Sequence, residues 1–144
     1  MAPQRVNRSL TMAVGAAVLF FAGCAGTSSR GGGGVMLTGS QEVPPVSTTA
    51  SGTSTITVGA DKSVSGSVTT TGVTGTAAHI HQAAMGQNGP VIIPLTKTAD
   101  NVWSVPPGTK LTDTQYDAFK AGSLYVNVHS DAHKGGEVRA QLKP

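Results

Sequence analysis

The 144-residue chain predicts an all-β domain, an antiparallel Greek-key sandwich or barrel with one short helix. Three observations predict it. Thr, Val and Gly are abundant from residue 35 onward while Leu and Glu are sparse, a bias that favours strands. Apolar and polar residues alternate over several short runs. Gly and Pro clusters, such as Gly86-Gln87-Asn88-Gly89-Pro90 and Pro106-Pro107-Gly108, punctuate those runs as turns do.

The elements follow in order. Residues 1–24 read as an export signal rather than a fold element. Arg5 and Arg8 form a positive start, and Leu10 to Gly23 is uncharged and mostly apolar. A run of that length is too short to span a hydrocarbon core of ~30 Å and suits a cleaved signal. It ends in Phe21-Ala22-Gly23-Cys24, which resembles a bacterial lipoprotein box with Phe in place of the usual Leu. Cys24 is then the lipidation site, and the lone cysteine of the chain is explained without a disulfide. Residues 25–34 are a Gly/Ser linker with nothing apolar to bury. The domain is 35–144. Removing Arg5 and Arg8 lowers the net charge from +3 to +1, so the basic balance says little about partners. No basic stripe or aromatic platform points to nucleic acid.

Within the domain, Thr53 to Val58 places Thr53, Thr55 and Thr57 on one face and Ser54, Ile56 and Val58 on the other. Val64 to Val68 alternates too, and Asp61-Lys62 reads as the hairpin turn between them. Further strands are expected at Ala77–His81, Val91–Leu95, Val102–Val105, Leu124–His129 and Glu137–Leu142. The helix is signalled by a capping box, Thr112-Asp113-Thr114-Gln115, with Leu111 and Tyr116 placed as a hydrophobic staple. Gly122 is placed to end it after about two turns.

The histidines carry the functional reading. All four lie in two clusters, His79-Ile80-His81 and His129-Ser130-Asp131-Ala132-His133. Positions i and i+2 of a strand share a face, so His79 and His81 stand together while Ala78 and Ile80 face the core. By the same alternation His129 leaves the apolar face of Leu124, Val126 and Val128, and a turn can return His133 towards it. If the two strands are neighbours, His79, His81, His129 and His133 converge as four ligands for one ion. Imidazole without thiolate favours Cu(II) or Zn(II), and Cu(II) leads the divalent affinity order. Met85 is a possible extra soft ligand. Asp131 and Glu137 are candidates to orient an imidazole without touching the ion.

The chain also resembles the CHRD (chordin-type) domain family. The matching residues are Leu37-Thr38-Gly39-Ser40-Gln41-Glu42-Val43-Pro44-Pro45-Val46, Ala77-Ala78-His79-Ile80-His81, Asn88-Gly89-Pro90-Val91, Gly122 to Ser130 and Gly135 to Gln141, in the family's order. The resemblance implies an extracytoplasmic β-rich domain, of the superoxide-dismutase-like or immunoglobulin-like kind, and leaves its activity open. A weaker similarity to copper/zinc superoxide dismutase rests on the His-x-His strand alone, since there is no cysteine pair and too few histidines for two metals. The expectation is an exported, lipid-anchored protein of the cell envelope, periplasmic or surface-exposed. It binds copper, or else zinc, for buffering or delivery rather than catalysis. The rival readings are a metal-free interaction or adhesion module, with a protein partner or as a homo-oligomer, and a dismutase-like enzyme.

Overall fold

The computed structural model describes residues 34–144. The expected signal, Cys24 and nearly all of the linker lie outside the described residues. Among the described residues eleven strands and one α-helix are formed: β1 Val35–Thr38, β2 Ser51–Ser54, β3 Thr57–Val58, β4 Val64–Ser65, β5 Ser67–Thr71, β6 Gly75–Gln82, β7 Val91–Pro94, β8 Thr96–Ala99, β9 Val102–Ser104, α1 Asp113–Lys120, β10 Leu124–Ser130 and β11 Val138–Gln141. A single 3-10 turn, Gly39–Gln41, follows β1.

Nine strands form one sheet in the order β7-β6-β10-β11-β1-β2-β5-β9-β8, and all of its pairs are antiparallel. The two edge strands, β7 and β8, are separated in the chain by Leu95 alone. In a flat sheet eight inter-strand steps would put the edges roughly 38 Å apart. One residue spans under ~4 Å, so the sheet must roll until its edges nearly meet. Leu95 still donates its N–H to Ala78 O on β6, at 2.9 Å, as the chain passes from one edge to the other. The architecture is therefore a near-barrel with one short helix, as the strand pattern predicts.

The inside of the roll is apolar. Leu37, Val68, Ile80, Trp103, Leu124, Val126, Val128, Val138 and Ala140 form one buried cluster. A Leu or Val buried this fully contributes about 1.5–3 kcal/mol. The alternation of β10 decides which face is which, because Leu124, Val126 and Val128 all enter this cluster. Over β10 and β11 the opposite face is covered too. Tyr125, Asn127, Arg139 and Gln141 are buried there as well, beneath the segments 39–46 and 83–90. Gln141 Nε2 donates to Ala83 O at 2.9 Å, and Arg139 donates to Gln87 O at 2.8 Å.

Two expected strands are subdivided. Thr53–Val58 becomes β2 and β3, and Val64–Val68 becomes β4 and β5, with the breaks opposite one another at Thr55 and Gly66. β3 and β4 then form their own two-stranded ladder, joined through Gly59–Ser63. The capping box closes in both directions: Gln115 N donates to Thr112 Oγ1 and Thr112 N donates to Gln115 Oε1. Thr112→Ala is expected to cost about 1 kcal/mol, lowering Tm by roughly 4 °C in a thermal melt.

Candidate metal centre

Strand pairing brings the two histidine clusters together. β6 and β10 are antiparallel neighbours, with Asn127 opposite His79 and Tyr125 opposite His81. One step along, His129 sits diagonally beside His79, on the same face. His79 Nδ1 lies 3.0 Å from His129 Nε2. Ring centroids are 5.7 Å apart for His79 and His81, and 6.2 Å for His81 and His129. Each of the three rings offers one ligand nitrogen, and these nitrogens all lie within 4.8 Å of one another. Nitrogens around a tetrahedral Zn²⁺ are about 3.3 Å apart, from Zn–N distances of ~2.05 Å. Closing the set asks for side-chain movements of an ångström or so.

Backbone carbonyls preset two of the rings. His81 Nδ1 is 3.0 Å from Gly89 O, and His129 Nδ1 is 2.8 Å from Lys134 O. A carbonyl only accepts, so each Nδ1 carries the hydrogen and each neutral ring keeps its lone pair at Nε2. His81 Nε2 is buried with no partner. His129 Nε2 accepts from His79 Nδ1–H. An ion arriving between them takes the place of that hydrogen, and His79 can carry its proton on Nε2 instead. Burial, then the neighbouring His129 and His81, hold the His79 ring below its ordinary value. Burial lowers His81 too, against the Gly89 hydrogen bond that favours its charged form. Both effects leave neutral imidazoles at pH 7, the form a metal requires.

The other residues read from the sequence lie elsewhere. His133 is outside the group of three. The residue is half-buried and lines a groove with Gly135, Gly136, Asn88 and Pro44, and its backbone N–H donates to Ser130 Oγ at 3.1 Å. Asp131 is exposed in the turn after β10. Glu137 is buried and faces two hydroxyls rather than a ring: Thr48 donates to Oε1 at 2.7 Å and Ser130 to Oε2 at 2.5 Å. Burial would raise its pKa, but those bonds and nearby His133 hold it below the ordinary value. Met85 is exposed on the rim of a groove of about 420 Å³, with Glu42, Val43, Pro45 and Arg139 among its walls.

Sequence reasoning missed the polar layer beside the histidines. Asn127, Arg139, Gln141 and Glu42 are all buried, although three of them alternate in plain view along β10 and β11 with Tyr125 and His129. Polar residues sharing one face of the β10–β11 hairpin with His129 were the available signal. Burial pushes the Glu42 carboxyl up to about 7, against the pull of Arg139 and of bonds from Asn127 and the backbone. Its unfolded value is 4.5. Between these values the folded state keeps a proton that the unfolded state has released, so this group makes stability fall as pH rises from 4.5 to about 7. Glu42→Gln is expected to remove that slope. Urea unfolding at pH 5 and pH 8 should show the variant gaining about 1–2 kcal/mol over the native chain at the higher pH, after discounting for screening.

Residues 34–142 match the model of the CHRD domain. The chain belongs to the CHRD domain family. The match spans every strand of the near-barrel and all three clustered histidines. No curated protein and no solved structure gives a match.

Proposed function

We propose that this CHRD-domain protein is exported, lipid-anchored through Cys24 at the cell envelope, and holds a transition metal through His79, His81 and His129. The observation that carries the metal reading is the convergence of three ring nitrogens, with two rings preset by carbonyls to offer Nε2. A metal-binding histidine normally has its other nitrogen tied to such an acceptor, which fixes the ring and makes it a better ligand. Three imidazole nitrogens and no thiolate suit copper(II) first and zinc(II) second. His133, Met85, Asp131 and Glu137 are outside this ligand set in the present proposal. Three protein ligands leave a coordination position for water or an incoming group, which suits a centre that takes up and hands on its ion. Buffering or delivery is therefore the proposed role.

The lipid anchor rests on the lipobox-like end of the apolar run at Phe21–Cys24. Mass spectrometry of the chain recovered from the membrane fraction tests it, and an unmodified chain beginning upstream of Cys24 would end that part of the proposal. Isothermal titration of the purified chain tests the metal. One equivalent of Cu(II) should bind more tightly than about micromolar, and bound ion should raise Tm in proportion to the logarithm of its free concentration.

A further inference from the structure

The histidines are not held by their own strands alone. The turn Gln87-Asn88-Gly89 supplies the carbonyl that fixes His81, and that turn is gripped from beneath by two residues outside both histidine clusters. Arg139, on β11, donates through Nη2 to Gln87 O at 2.8 Å and through Nη1 to Asn88 Oδ1 at 3.2 Å. Tyr125, on β10, accepts at its hydroxyl from Gly89 N–H at 3.2 Å. Gly89 O then accepts from His81 Nδ1 at 3.0 Å. The same three side chains are stacked. The Tyr125 ring lies 4.7 Å from the His81 ring and within 5° of parallel to it. The Arg139 guanidinium carbon sits 3.4 Å from the Tyr125 ring centre.

We propose that Tyr125 and Arg139 are positioning residues of the metal centre, clamping the 87–89 turn so that the Gly89 carbonyl holds the His81 ring with Nε2 free for the ion. The proposal rests on the metal-binding reading for its purpose, but its physical content does not need an ion. Register explains why these residues serve. Tyr125 faces His81 across β10 and β6, and Asn127, next but one to Tyr125, faces Arg139 across β10 and β11. A guanidinium on one strand, a phenol on the next and an imidazole on the third thus form one column. The turn can reach that column because residue 89 has no side chain. A Cβ there would fall 1.9 Å from Gln82 O. Stack and hydrogen bond act together on His81. Ring rotation would have to break the Gly89 bond and leave the parallel contact with Tyr125. An untethered His81 would divide between its two neutral tautomers, and only one of them offers Nε2.

The experiment is long-range proton–nitrogen NMR of the metal-free full chain, which reads the tautomer of each histidine, combined with Zn(II) titration. In the native chain His81 should show a single tautomer with the hydrogen on Nδ1. Tyr125→Phe keeps the ring and removes only the hydroxyl that holds Gly89. It should give a mixture of His81 tautomers and weaken Zn(II) binding about tenfold, the lower end of what losing a group that supports a ligand costs. Arg139→Lys keeps the charge and loses the fork on Gln87 and Asn88. It should act in the same direction, and it supplies the result if the phenylalanine variant does not fold. Tyr116→Phe, on α1, is the control and should change neither reading. A folded Tyr125→Phe or Arg139→Lys chain whose His81 keeps one Nδ1–H tautomer would overturn the clamp, whatever its affinity for zinc. If the native chain binds no zinc while the variants still mix tautomers, the clamp stands and the metal reading falls.

Discussion

A chain carrying His79→Ala and His81→Ala together is expected to bind neither Cu(II) nor Zn(II). The double change leaves only the His129 nitrogen of a set whose atoms lie within 4.8 Å. A single imidazole does not hold an ion against water. The loss should exceed a hundredfold, beyond the ~10–100-fold that follows when a supporting group is removed. His133→Ala should leave affinity within about threefold, because that ring is not one of the three. A His133 variant that loses binding as completely as the double variant would show that the ligand set is wrongly drawn. The pH dependence has a definite sign. The His79 and His81 rings are held below the ordinary 6.5 by burial first and by neighbouring rings second. Protons compete for those nitrogens only in more acid solution. Affinity should therefore fall as acid is added, in titrations run from pH 8 downward.

Strand period makes the shared face of His79 and His81 legible from the sequence. The alternation Ala78-His79-Ile80-His81 assigns inside and outside without ambiguity, and Ile80 is buried in the core as that alternation requires. The adjacency of β6 and β10 was not legible, because fifty residues separate His79 from His129 and nothing local pairs their strands. β1 and β8 were harder still. Every residue of Thr96–Ala99 is exposed, so no apolar rhythm marks it, and it is a strand only because β9 offers a ladder. The capping box, by contrast, is a local exchange of two hydrogen bonds, which four consecutive residues suffice to specify.

His133 and Glu137 teach a different lesson. Spacing along the chain suggested that a turn could return His133 to His129. The turn does fold back, with His133 N and Ser130 O bonded at 3.2 Å and Ser130 N and His133 O at 3.3 Å. That pairing places the backbone of residue 133 without bringing its ring into the group of three. Glu137 is claimed by the hydroxyls of Thr48 and Ser130. Thr48 lies 89 residues away in the chain, so no reading of the sequence near Glu137 could have supplied its partner.

The largest stability effect is expected at the second glycine of the pair Gly135-Gly136. Gly136 has φ +124°, a conformation that a side chain resists, and a Cβ there would lie 2.4 Å from Glu42 Oε1 and 2.5 Å from Asn127 Nδ2. Both neighbours are buried, so neither can swing into water to make room. Glu42 would have to leave its place between Arg139 and Asn127, exposing a carboxyl site that folding has dried enough to raise its pKa to about 7. Backbone strain of about 1–3 kcal/mol adds to the displaced contacts, so Gly136→Ala should lose about 3 kcal/mol or more and Tm should fall by roughly 12 °C. Gly135→Ala is the matched control. Its Cβ would meet nothing within 4 Å and its backbone is not in the positive-φ region. That substitution should be neutral, or stabilising by about 0.4–1 kcal/mol through the unfolded state. Two identical residues side by side in the sequence therefore differ by several kcal/mol in what they tolerate. Comparable melting curves for the two alanine variants would mean that the packing of Glu42 and Asn127 against residue 136 is not as tight as the structure has it.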